Sequence, residues 1–370
     1  EAASAWPPTN EGGAMRITSG ARRCGGLILV LALTLTACSQ DTSEPANTQT
    51  PEQITMLTHD AFAVSDGILQ DFTNETGIEV QVLKSDDAGT MLNQAILTKD
   101  NPIADVVYGI DNTFLSRALS EGIFEPYTSS SLSAVPESLR AGDLATPIDY
   151  GDVCINYDKA AFDSGTPAPK TLQDLTDPVY NDMLVVEDPA TSSPGLAFLL
   201  ATIAKFGETG DYTWQEYWRD LVANGVKVDA GWTEAYYSDF SAASDGTRSL
   251  VVSYASSPPA EVYYSEVPLD EPPTAVITDG CFRQVEYAGI LTGTDHAEAA
   301  GKLIDFMLSP EFQEDMPLNM FVFPARSDVT LPSVFAEFAT VPDHPETMDP
   351  ALIEQHREEW IQQWTEIVRS

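Results

Sequence analysis

Short apolar runs of strand length alternate with helical segments along most of this chain, and that alternation limits the class of fold it can adopt. Ile54 to Leu57 reads as a strand, Ile68 to Thr73 as a helix and Ile78 to Val82 as a second strand, with Gly77 at the join. A helix over Met91 to Leu97 and a strand over Asp105 to Ile110 continue the pattern. Further on, Tyr150 to Tyr157, Met183 to Glu187, Val226 to Val228, Leu250 to Tyr254 and Val285 to Leu291 read as strands. Gly195 to Phe206, Trp214 to Asn224 and His296 to Leu308 read as helices. Strands joined by helices of this kind give an α/β fold with a parallel sheet. A last helix starts at Asp349-Pro350, an N-cap followed by proline at the first helical position. It carries Trp360 and Trp364 on one face, where packing is the expected role.

Charge narrows the function. The 370 residues hold 18 Lys+Arg against 57 Asp+Glu, a formal net charge of -39. Such a chain repels polyanions, so nucleic acid is not an expected partner. A hydrophobic share of 43% is still enough to build cores, so the acidity does not signal disorder. The length suggests about two domains or lobes.

Arg16, Arg22 and Arg23 precede an apolar run from Gly25 to Thr36 that ends in Leu35-Thr36-Ala37-Cys38. This is the pattern of a secretory signal, too short for a membrane span. The ending resembles a bacterial lipobox, in which Cys38 is lipidated and becomes the first mature residue. Residues 1–37 are therefore expected to be an N-terminal extension with a lipoprotein signal peptide, and the polar residues 38–52 a flexible tether. In an oxidising compartment the remaining cysteines, Cys154 and Cys281, form either a disulfide or two free buried thiols.

No catalytic constellation stands out. His59, His296, His344 and His356 have no metal-ligand spacing, and neither a Gly-x-Ser-x-Gly elbow nor a phosphate loop is present. The chain is read as a binding protein with no cofactor and no metal; a secreted hydrolase is the catalytic alternative. Three turns at strand ends suit binding instead. Gly231 to Tyr237 is rich in aromatic residues and follows a strand, at the edge where open α/β sheets hold ligands. Ser253 to Pro259 ends a second strand with Tyr254 and small hydroxyl residues. Asp188 to Gly195 is a strand-to-helix turn whose Ser192 and Ser193 would present hydroxyls and N–H groups at a helix N-terminus, a natural anion site. Aromatic faces with carboxylates suit a flat cationic ring.

Across nearly all of Ile54 to Ser370 the sequence resembles the substrate-binding lipoproteins of bacterial thiamine ABC transporters. The matching stretches include Leu57-Thr58-His59-Asp60-Ala61-Phe62, Asp188-Pro189 with Thr191-Ser192, Gly231-Trp232-Thr233-Glu234-Ala235-Tyr236, Gln284-Val285-Glu286 and Ser309-Pro310-Glu311-Phe312-Gln313. The last is shared with iron, polyamine and sulfate binding proteins; the tryptophan motif is narrower. The resemblance implies a two-lobed periplasmic-binding-protein type II fold with a hinge and an inter-lobe cleft. Residues 53–147 plus 286–370 would form lobe one with the C-terminal helices, and 148–285 lobe two with the hinge strands.

It also implies a ligand set. Asp87 and Ala88 match an Asp-Gly pair, with Asp87 able to pair with a cationic or amino-bearing ring. Ser192 and Ser193 would hold a hydroxyethyl or phosphate tail, and Trp232 would stack. Tyr254, Ala255, Ser256 and Ser257 match a Tyr-Thr-Thr-Ser turn. Phe321 stands where the family has a tryptophan wall, His59 where it often has tyrosine, and Ala260 where a tyrosine contributes. The implied ligand is thiamine or a thiamine phosphate, with ferric iron or a polyamine as alternatives on the same fold. The implied partners are an ABC permease and its ATPase, with a lipid anchor on Cys38 and a monomeric receptor outside the cytoplasm.

Overall fold

The computed structural model describes residues 52–162 and 165–370. The readings of residues 1–37 and of Cys38, and nearly all of the tether, lie outside the described residues.

The first half begins β1 (Glu52–Thr58), α1 (Ile68–Thr76), β2 (Ile78–Lys84), α2 (Ala88–Leu97), β3 (Val106–Asp111), α3 (Leu115–Ser120) and β4 (Phe124–Glu125). Then come the long β5 (Thr146–Asp158), β6 (Leu184–Glu187), α4 (Ser193–Phe206), α5 (Trp214–Ala223), β7 (Lys227–Asp229), α6 (Trp232–Glu234), β8 (Leu250–Tyr254) and α7 (Pro258–Tyr263). The 18-residue β9 (Thr274–Leu291) is followed by α8 (Ala297–Met307), α9 (Pro310–Asn319), β10 (Phe323–Pro324), α10 (Ser333–Phe338) and α11 (Pro350–Val368). Local chemistry sets the ends. Gly77, left-handed at φ 76°, closes α1 by donating to the Thr73 carbonyl. Ser309 ends α8 and caps α9, its Oγ accepting from Phe312 N at 3.2 Å.

Strand order across the sheet is β2-β1-β3-β9-β5-β8-β6-β7, with β10 beside β5 and β4 beside β9. The pairs β1–β2, β1–β3, β6–β7 and β6–β8 are parallel, whereas β5 and β9 pair antiparallel with each other and with β8 and β3 respectively. Two parallel α/β units are thus joined through two long crossing strands. The sequence pattern marked only Val285 to Leu291 of β9. Its first part carries Asp279, Gly280 and Arg283, which break any apolar run. Cys154 and Cys281 are bonded at 2.02 Å, joining β5 to β9 over a sequence separation of 127. The expected lobe boundaries, 147/148 and 285/286, fall inside these two strands.

The C-terminal segment contacts more than the lobe to which it was assigned. α11 packs against both α3 and α5. Trp364 meets Trp218 of α5 edge to face at 5.5 Å, and the Arg357 guanidinium lies 5.7 Å from the Phe114 ring beside α3. Glu346 pairs with the crossing strand β9, its N–H donating to the Cys281 carbonyl and its carbonyl accepting from Arg283 N. The residues of α11 buried in these contacts are Ile353, Arg357, Trp360, Trp364 and Ile367.

Trp364 is 2% exposed. Replacing it with alanine should lower the unfolding free energy by about 3–5 kcal/mol, read from urea titration. A loss below about 1 kcal/mol would show that α11 is not part of the core.

Candidate ligand-binding cleft

A cleft opens where the carboxyl ends of β1 and β8 meet the N-termini of α2, α4 and α6, with β9 as its floor. Its empty space is about 700 Å³, counting the part open to solvent.

Of the sequence-assigned residues, His59, Asp87, Ser193, Trp232, Tyr254, Ser257 and Phe321 line this cleft. Four stand behind it. Ala88 is buried in the first turn of α2. Ser192 is the N-cap of α4, its Oγ accepting from Gly195 N at 3.3 Å. Ala255 packs on the Cys154–Cys281 bridge, and Ser256 is fully buried. Ala260 lines the cleft as the sequence placed it. Asp60, Tyr236, Tyr237, Glu286, Asn319 and Met320 also line it without having been assigned a role. The two tyrosines stood in the aromatic turn already singled out. Glu286 stood in the matching stretch Gln284-Val285-Glu286, but nothing in that apolar strand run pointed to a role in the site.

Trp232 is the centre of an aromatic wall. It stacks on Tyr236 at 5.0 Å and meets Tyr237 at 5.5 Å and Tyr254 at 6.3 Å edge to face. Its indole N–H donates to Ser253 Oγ at 2.9 Å, and that hydroxyl is 3.0 Å from Ser257 Oγ, so the ring is fixed in place. The sequence pictured a turn here; instead α6 runs into a π-helical turn over Ala235–Asp239, which puts Trp232 and Tyr236 on one face.

Asp87 connects both sides of the cleft. As N-cap of α2, its Oδ1 accepts from Ala88 N at 2.6 Å and from Ser193 N at 3.3 Å, while Oδ2 accepts from Trp232 N at 3.0 Å. One carboxylate thereby serves three helix N-termini, where negative charge is favoured. Two residues on, Gly89 N donates to the Thr191 carbonyl at 2.9 Å. A Cβ on Gly89 would lie 2.7 Å from that oxygen, so only glycine permits this approach.

The floor is acidic. Tyr108 Oη donates to Asp149 Oδ2 at 2.5 Å and lies 3.4 Å from Glu286 Oε2; His59 Nε2 is 3.8 Å from Glu286 Oε1. Burial, then the charge of Glu286, pushes the Asp149 carboxyl well up. Burial raises Asp111 to about 7 against its bond to Thr113, and pushes Glu187, behind the α4 turn, well up. Burial raises Asp87 despite its N–H partners. For His59 burial pulls downward, but Glu286, Asp87 and Asp60 together outweigh it and raise it above 6.5. The cleft lining holds Asp60, Asp87 and Glu286 and no lysine or arginine among the described residues. The described residues contain no cluster of three or more His, Cys, Asp or Glu able to hold a metal, and no helix long and apolar enough to cross a membrane.

A family model for bacterial extracellular solute-binding proteins matches residues 101–344. The thiamine-binding periplasmic protein of Escherichia coli (strain K12) is 31% identical over 322 residues, covering 85% of this chain and 93% of that protein. The chain belongs to the bacterial extracellular solute-binding proteins. This is a family of binding proteins rather than enzymes. Among solved structures, a periplasmic thiamin binding protein aligns with a TM-score of 0.75 at 29% identity, covering 85% of this chain and 96% of its own. A ferric binding protein from Campylobacter jejuni aligns with a TM-score of 0.68 at 21% identity, covering 85% and 99%, a likeness of fold.

The raised groups of this solute-binding protein act in one direction on stability. Asp111 (to about 7) and Asp229 (to about 6, chiefly through burial and Asp239) keep protons in the folded state that the unfolded chain has released. His59, raised above 6.5, likewise binds its proton more tightly when folded. From roughly pH 4 to 7 the folded protein holds more protons than the unfolded chain, so stability falls as pH rises. The thermal midpoint should therefore climb on going from about pH 8 to about pH 5, and Asp111→Asn should reduce the slope. A midpoint flat or falling on acidification over that interval would contradict the assignment.

Proposed function

We propose that this protein captures thiamine outside the cytoplasm and delivers it to the permease and ATPase of an ABC importer. The observation that carries the reading is the pairing of the Trp232 aromatic wall with an acidic lining free of lysine and arginine, which suits a flat, positively charged heterocycle. The thiamine-binding names of its relatives support the same ligand. His59, Asp87, Ser193, Trp232, Tyr254, Ser257 and Phe321 are its contacts. Ala88, Ser192, Ala255 and Ser256 support them from behind. Lobes 53–147 plus 286–370 and 148–285 close on the ligand. The receptor acts as a monomer held to the membrane by lipid on Cys38.

A phosphorylated ligand is less well served. The N–H groups of Ser193 and Gly195, which a phosphate would use at the start of α4, already bond Asp87 and Ser192. Ferric iron is disfavoured as well, because burial and nearby carboxylates push the phenols of Tyr236 and Tyr254 well up, away from the phenolate form.

Calorimetry on refolded, ligand-stripped protein should show heat with thiamine, and ligand at about 100 times Kd should stabilise the fold by about 2.7 kcal/mol. Trp232→Ala should weaken binding by about tenfold or more. Absence of both heat and stabilisation in the wild type would sink the proposal.

A further inference from the structure

We propose that Glu286, rather than Asp87, is the carboxylate that pairs with the positive charge of the ligand, and that Asp87 is a latch between the two sides of the cleft. The inference rests on the thiamine reading above and assigns the charge recognition within that same site.

The two carboxylates differ in what they have left to offer. An ionised carboxylate has about four acceptor sites. Asp87 has filled three of them with the N–H groups of Ala88, Ser193 and Trp232, at 2.6, 3.3 and 3.0 Å. Its partners come from α2 on one side and from α4 and α6 on the other, so moving it onto a ligand would free three helix N-termini at once. Glu286 has no backbone N–H bond to its side chain among the described residues; its side-chain neighbours are Asp149, Tyr108 and His59. The Tyr108 hydroxyl lies at 3.4 Å but places its short bond, 2.5 Å, on Asp149. His59 Nε2 is 3.8 Å away, beyond hydrogen-bond reach, and this buried nitrogen has no hydrogen-bond partner of its own.

Glu286 is nevertheless 6% exposed and lines the cleft. A buried carboxylate without short donors is costly, and a cationic ligand entering beside it removes that cost. Burial and then Glu286 push the Asp149 carboxyl behind it well up, toward the neutral form, which relieves repulsion at the floor. His59, which follows β1, faces the same Glu286 oxygen at 3.8 Å without a hydrogen bond to it, so that oxygen can still take a ligand cation.

The experiment compares thiamine with a neutral isostere in which a triazole replaces the thiazolium ring, titrated into wild type, Glu286→Gln and Asp87→Asn. Glutamine keeps the shape of Glu286 and removes only the charge. The wild type should prefer thiamine over the isostere by about tenfold or more, and Glu286→Gln should bring that preference to within about threefold of unity. Asp87→Asn should weaken both ligands by the same factor and lower the ligand-free thermal midpoint. A preference unchanged in Glu286→Gln, equal loss of both ligands in that variant, or a preference abolished by Asp87→Asn instead would overturn the assignment. A wild type that binds no thiamine overturns the ligand reading itself, and this inference with it.

Discussion

The antiparallel pairing of β5 with β9 is the constraint on which the rest of the molecule hangs. One parallel unit attaches through β3 to β9 and the other through β8 to β5, so the relative placement of the two depends on this one ladder. The register slips between Pro147 and Asp149 and again between Val153 and Ile155, beside the Cys154–Cys281 bridge. Bulges of this kind bend strands and redirect side chains. Residues of β9 then reach outward in both directions. Gln284 donates to Ser193 Oγ on α4 at 3.0 Å, and Glu286 faces His59 after β1. The strand that holds the halves together is also the floor of the cleft.

This explains what the sequence could and could not reveal. The parallel units were legible because strands such as β3 and β6 are buried on both faces and their helices end in ordinary signals, such as Gly77 and the Ser309-Pro310 pair. The crossing strand β9 was half hidden, since Arg283 is committed to Asp152 at 2.6 Å and to the Tyr150 ring at 5.0 Å rather than to an apolar core. Polar residues satisfied by long-range partners leave no periodicity to read. The same applies to the site. Trp232 and Tyr254 stood out because aromatic residues at strand ends are conspicuous. Glu286 did not, because what gives it meaning is the convergence of His59, Tyr108 and Asp149 from other strands.

The net charge of -39 and the acidic floor are separate matters. Surface carboxylates such as Asp328 and Glu298 are paired with Arg326 and Lys302 and held below the usual range by them. Asp87 in the cleft and Asp149 behind it are shifted the other way by burial. The upward shifts of Asp111 and Asp149 relieve their repulsion with Glu286, so the site holds fewer charges than carboxyl groups. A cleft with some of its carboxyls neutral can be acidic without pushing itself open.

Closure of the cleft rests on groups that need no ligand. Asp87 to Ser193 and Trp232, and Gly89 to Thr191, are bonds between backbone N–H groups and oxygens across the cleft, and α11 lies against helices of both halves. A ligand shifts a conformational balance only by what it binds better in one state than in the other. Because the latch is built from the protein's own atoms, a small heterocycle needs to supply only the margin between open and closed. That margin comes from groups brought together when the halves meet: the Trp232 wall on one side and the β1 and β9 side chains on the other. Asp87 has little left to offer it, since Ala88, Ser193 and Trp232 already take its acceptor sites. Selectivity is therefore expected from the residues with the fewest protein partners, and the described floor offers His59 and Glu286 for that role.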